Sequence, residues 1–127
     1  MKLFIDDRVA NRSGDIELEC HCYEQAIAAL GRLNGQNHTL VSIERADGWQ
    51  LCVGGGGADF VVTLSSQCDE NFTLLNPSGD DGSVVELCAG GQFADFSRNV
   101  VVGEVEASKA IHNFFLGKEM ELNWERN

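Results

Sequence analysis

The stretch Leu51-Cys52-Val53-Gly54-Gly55-Gly56-Gly57-Ala58-Asp59-Phe60-Val61-Val62 sets four consecutive glycines between two apolar runs, and what those glycines do decides the fold. A phosphate-cradling loop opens a helix whose amino end faces the anion, and it carries Gly-Lys-Ser/Thr or a spaced Gly-x-Gly-x-x-Gly. Here the glycines are contiguous, and behind them Phe60, Val62 and Leu64 alternate with Val61, Thr63 and Ser65. A period of two belongs to a strand and not to a helix. The glycines therefore read as a hairpin turn between two strands.

Outward from that turn, strands near Thr39 to Arg45, Trp49 to Val53 and Ala58 to Ser65 form a meander, the first two joined by Ala46-Asp47-Gly48. Upstream, Lys2 to Asp7 and Asp15 to Glu19 read as short strands, the second passing into a helix over about Cys22 to Leu33. Tyr23, Ala26, Ile27, Leu30 and Leu33 make its apolar stripe, Arg32 sits in its last turn, and Gly35 is placed to stop it in a left-handed conformation. Downstream, Asn71 to Asn76 and Val84 to Cys88 read as a further strand pair across Pro77-Ser78-Gly79-Asp80-Asp81-Gly82, and Gly90-Gly91 marks another bend. Glu104 to Leu116 carries Ala107, Ala110, Ile111, Phe114 and Phe115 at helical spacing, with acids at its positive end and Gly117-Lys118 at its close. Met120 to Glu125 alternates as an edge strand that lays Trp124 on the core. The sum is an α+β fold: one domain over 1–127, an antiparallel β-sheet with two amphipathic helices packed on one face.

At 127 residues and 43% hydrophobic content the chain is long enough for one core and too short for two. Nine basic residues against twenty acidic ones leave a net charge of -11, a surface that repels nucleic acid and anionic membranes. The acids are dispersed, as at Asp6-Asp7, Glu17, Glu19 and Asp95, and not gathered in a tail. They serve solubility, or they bind something basic. No run approaches the eighteen apolar residues of a membrane span, and Met1-Lys2-Leu3-Phe4-Ile5-Asp6-Asp7 meets acids where a signal peptide would stay apolar. A cytoplasmic location is expected, and with it five reduced cysteines.

Cys20-His21-Cys22 gathers metal-ligand types, but its spacing splays them along a strand and no second pair follows, so no metal site is assigned. Cys52, Cys68 and Cys88 read as core or surface residues. His21, His38 and His112 stand in no nucleophile–base pattern, and no Gly-x-Ser-x-Gly elbow occurs. No catalytic residue and no cofactor is assigned, and the chain is expected not to be an enzyme.

Two stretches carry a resemblance. Val102-Gly103-Glu104-Val105-Glu106-Ala107-Ser108-Lys109-Ala110-Ile111-His112-Asn113-Phe114-Phe115-Leu116-Gly117, closed by Leu122-Asn123-Trp124-Glu125, combines an Ala-rich start, a Phe-Phe pair, a Gly and a Trp. Leu51-Cys52-Val53-Gly54-Gly55-Gly56 adds a strand ending in a glycine turn, and Leu30-Gly31-Arg32-Leu33 a first helix. The pattern, from about Tyr23 onward, resembles the first-numbered family of bacterial immunity proteins that accompany polymorphic toxins, immunity family one. It departs from that family in its extended amino terminus with Cys20-His21-Cys22 and in the fourth glycine. The resemblance implies an intracellular antidote, monomeric in the complex, that binds the carboxy-terminal domain of a secreted toxin, a deaminase or nuclease, and occludes its active site. Such a toxin presents a basic cleft, to which an acidic domain is steered. Two further readings are an acidic nucleic-acid mimic that inhibits another enzyme, and a small-ligand module using the sheet's open face. For the partner surface the candidates are loop acids, Asp59 beside the glycines, Asp69 and Glu70, Asp80 and Asp81, with Phe93 and Phe96 as apolar anchors flanking Asp95.

Overall fold

The computed structural model describes residues 1–9, 12–79 and 82–127, and the side chains of all of these except residues 9, 12 and 13. The described residues form nine strands and two α-helices in the order β1 (Lys2–Val9), β2 (Arg12–Glu19), α1 (Tyr23–Leu30), β3 (Leu40–Glu44), β4 (Gln50–Gly56), β5 (Asp59–Ser65), β6 (Asn71–Leu74), β7 (Val84–Ala89), β8 (Gln92–Ser97), α2 (Glu104–Phe115) and β9 (Trp124–Arg126). Seven strands make one antiparallel sheet in the order β2-β1-β3-β4-β5-β6-β9, and β7-β8 form a separate hairpin. This is the expected α+β layer arrangement.

Alternation along the strands divides the sheet into two faces. Leu3, Ile5, Val41, Ile43, Leu51, Val53, Phe60, Val62, Leu64 and Leu74 point to one side and are buried with Ala26, Ala29 and Leu30 of α1 and Ala107, Ala110, Ile111 and Phe114 of α2. At the end of α2, Arg45 donates to the Phe114 carbonyl at 2.8 Å and to Glu119 at 2.6 Å, and its guanidinium lies 4.4 Å over the Phe114 ring. One cation thereby satisfies a terminal carbonyl of the helix and a buried carboxylate together.

Three expectations are corrected by the packing. The turn is Gly57-Ala58, and Gly54, Gly55 and Gly56 belong to β4, paired with Val61, Phe60 and Asp59. Their lack of a side chain serves close approach: a Cβ at Gly54 would stand 2.5 Å from the Ala89 Cβ, and one at Gly56 would collide with the backbone of Asn34 and Gly35. Helix α1 stops at Leu30, a turn before Leu33. The Asn34 carboxamide accepts the N–H groups of Gln36, Asn37 and His38 and turns the chain there, with Gly35 at φ 74° inside that turn. Strand β6 pairs with β5 and β9, not with β7. The partner of β7 is β8, reached through Gly90 and Gly91 at φ 62° and 79°, the left-handed pair that a two-residue hairpin demands.

The hairpin sits on the sheet's second face. Leu87 packs with Val61 and Val101, flanked by Val85 and Phe96, in a small core apart from the large one. The edge strand expected over Met120 to Glu125 is confined to β9, since Glu119–Glu121 forms a turn of 3-10 helix that leaves Met120 exposed; Trp124 still packs half-buried on the large core and donates its indole N–H to the Glu119 carbonyl at 2.8 Å.

Candidate functional site

The second face is covered by the hairpin at one end and open at the other. In the open part Phe4, Asp15, Leu40, Ser42, Glu44 and Cys52 line a shallow groove of about 330 Å³. Its floor is part apolar and its rim carries carboxylates. Burial pushes the Cys52 thiol up, only partly countered by hydrogen bonds with Ser42 and Thr63.

The hairpin is held over this face by Asp6, a residue 4% exposed. Its carboxylate accepts the Thr39 N–H at 2.6 Å, the Leu40 N–H at 2.8 Å, the Arg8 Nε–H at 2.8 Å and the Thr39 hydroxyl. Burial alone would raise its pKa, yet these donors together hold it below the ordinary aspartate range. Arg8 goes on to donate to the Gly90 carbonyl at 2.6 Å, and the Gly91 N–H donates to the Thr39 hydroxyl at 2.9 Å. Asp6 therefore ties β1, the entry of β3 and the hairpin turn together. In the sequence it is one more acid in an alternating strand, and its partners more than thirty residues away give no local signal.

The expected partner residues fall on separate segments. Asp59 opens β5 and is half-buried, while Asp69 and Glu70 lie in the turn beyond the other end of that strand, roughly 20 Å along it. Asp69 has a positive φ of 61°, a conformation aspartate tolerates better than most side chains, so its identity has a conformational reason. Glu70 is half-buried, near Ser66 and 3.9 Å from Arg126. Asp80 and Asp81 lie outside the described residues. Phe96 turns inward and packs in the small core with Val85 and Leu87.

Phe93 and Asp95 do come together. With Val85, Leu87 and Phe96 facing the sheet, alternation puts Val84, Glu86, Phe93 and Asp95 on the hairpin's outer face. Phe93 is 70% exposed and Val84 64%. Glu86 stands directly opposite Asp95 in the register, and among the described residues neither makes an ion pair. Like charges at directly opposed positions destabilise a hairpin, and a cation placed between them removes the penalty. Local sequence does not single out Glu86, because the residue it faces lies on a strand that the sequence conceals.

Among the described residues no group of three or more His, Cys, Asp or Glu side chains is arranged to hold a metal. Cys20 is buried at the end of β2, whereas His21 and Cys22 are exposed. No helix among the described residues is long and apolar enough to cross a membrane. No protein-family model matches the chain, and no curated protein matches it at a significant level.

Proposed function

We propose that this chain is an immunity protein of the cytoplasm that binds the basic catalytic domain of a toxin, a deaminase or nuclease, and occludes its active site. The observation that carries the reading is the outer face of the hairpin, where an exposed aromatic ring flanks two directly opposed carboxylates that have no counter-ion among the described residues. Interfaces of this kind combine an aromatic anchor, which slows dissociation, with charges that steer association. The net charge of -11 supplies the long-range part. Asp59, Asp69 and Glu70 contribute to that field from outside the central contact, and Asp80 and Asp81 add their charge to it.

The test is protection from the toxin domain encoded beside the chain. Co-expression restores growth, and the purified pair forms a one-to-one complex. Phe93→Ala weakens that complex by about 2 kcal/mol or more through faster dissociation. Reversing Glu86 and Asp95 to lysine slows association and flattens its dependence on ionic strength, with the fold intact. Growth that is not restored, with no complex at low salt, ends the proposal.

A further inference from the structure

Strand β2 ends the seven-stranded order, and nothing among the described residues pairs with its outer side. Which of its peptide groups are free follows from its junction with β1. Met1 and Cys20 exchange two hydrogen bonds, Met1 N to the Cys20 carbonyl at 3.2 Å and Cys20 N to the Met1 carbonyl at 2.8 Å. In an antiparallel pair such reciprocal positions alternate with unbonded ones. With Leu3 opposite Leu18 and Ile5 opposite Ile16, those residues continue the bonded series. Glu19, Glu17 and Asp15, opposite Lys2, Phe4 and Asp6, then turn their N–H and C=O groups away from the sheet.

The same three residues share one side-chain face, the open face, and all three are exposed. Between them Ile16, half-buried, and Leu18, 44% exposed, project to the helix side. The edge thus presents unpaired backbone groups in register with a row of carboxylates. Among the described residues Glu17 pairs only with Lys2, 3.8 Å away and itself more than half exposed. A second copy of the chain pairing here would face carboxylate with carboxylate, which excludes self-association by this edge.

We infer that β2 is a docking edge for an extended segment of the partner, in which lysine or arginine at every second position faces Asp15, Glu17 and Glu19 and apolar residues between them cover Leu18. The inference rests on the basic-partner reading and deepens it by naming the conformation and residue pattern of a second contact. Backbone pairing gives affinity, and the alternating cations select the register.

The probe is an acetylated heptapeptide of alternating lysine and valine, added to the full chain at low salt and compared with a peptide of the same composition in two blocks. The alternating peptide slows amide exchange at Asp15, Glu17 and Glu19 and leaves Ile16 and Leu18, already bonded to β1, unchanged. Glu17→Pro removes an outward donor that the β1 ladder does not use, and weakens peptide binding about tenfold; Glu17→Gln, which keeps the donor, weakens it about threefold. The exchange map on the unaltered chain decides the matter even where Glu17→Pro disturbs the strand. Equal binding of both peptides without slowed exchange at these three amides overturns edge docking, as does no binding of either or a dimer paired through β2. In each of those cases growth protection by co-expression still judges the basic-partner reading separately.

Discussion

Replacing Asp6 by alanine tests the latch between hairpin and sheet. The carboxylate accepts four hydrogen bonds, two of them from backbone N–H groups at Thr39 and Leu40, and Thr39 is fully buried. Truncation strands those donors and releases Arg8 from its carboxylate. Breaking a buried charged pair costs ~3–5 kcal/mol, of which stranded donors at ~1–3 kcal/mol each account for a large part. With unfolding entropy of ~2.1 cal/mol/K per residue, the 127-residue chain loses about 4 °C of melting temperature per kcal/mol, hence about 11–19 °C. Asp6→Asn keeps an acceptor for the two N–H groups but turns an amide NH2 toward Arg8, and falls between the two. The folded-state pKa is depressed, so the stabilisation is complete above the unfolded value of about 4 and is lost as pH falls through the folded value. Scanning calorimetry at pH 7 and pH 3 therefore shows a wide gap between parent and Asp6→Ala that narrows in acid. A gap below about 4 °C at pH 7, or one equal at both pH values, refutes the assignment.

Phe114 is fully buried beneath Arg45, and Phe114→Ala lowers stability by ~3–5 kcal/mol in denaturant titration; an unchanged midpoint with lost partner binding would place the ring in an interface instead. Gly54→Ala sets a methyl group 2.5 Å from Ala89, costs ~1–3 kcal/mol, and speeds amide exchange in the hairpin more than in β3. Thiol alkylation at pH 8 modifies the exposed Cys22 and Cys68 first, while burial holds Cys52 protonated and slow; fast reaction at Cys52, followed by mass spectrometry of peptides, contradicts its placement.

Periodicity made the large core legible. β3, β4 and β5 show themselves because Val41, Ile43, Leu51, Val53, Phe60, Val62 and Leu64 recur at every second position toward the large core, and α2 shows its apolar stripe because its other side meets water. Strand β8 escaped for the opposite reason. Its two phenylalanines stand three apart, so one falls outside and one inside, and four of its six residues are exposed. With β8 concealed, the nearest strand in sequence to β7 is β6, and the two read as a pair. The true neighbour of β6 comes from residues 124–126, a pairing no local pattern announces. The glycine run misled in part because turns and close approach ask for the same residue. Only Ala89 and the backbone at Asn34, distant in sequence, separate the two uses. The candidate surface is hidden for the same reason: Phe93 and Asp95, expected on a loop, lie in strand β8, and the carboxylate that faces Asp95 is fixed by strand pairing.

Strand β5 serves two interiors at once, Phe60, Val62 and Leu64 the large one and Val61 the small one. Contiguous units held by few buried contacts open at lower free energy than the whole molecule. The hairpin is such a unit: lifting it uncovers Val61, Leu87 and Val101 while the helices stay seated. Its outer face, with Phe93, is therefore carried on a plate held at the turn by Asp6 and Arg8 and along its length by the small core alone. A ligand gripping that plate feels a compliance separate from the rest of the molecule. Clamping it would register as a local loss of motion, with the unfolding of the sheet beneath left as it was.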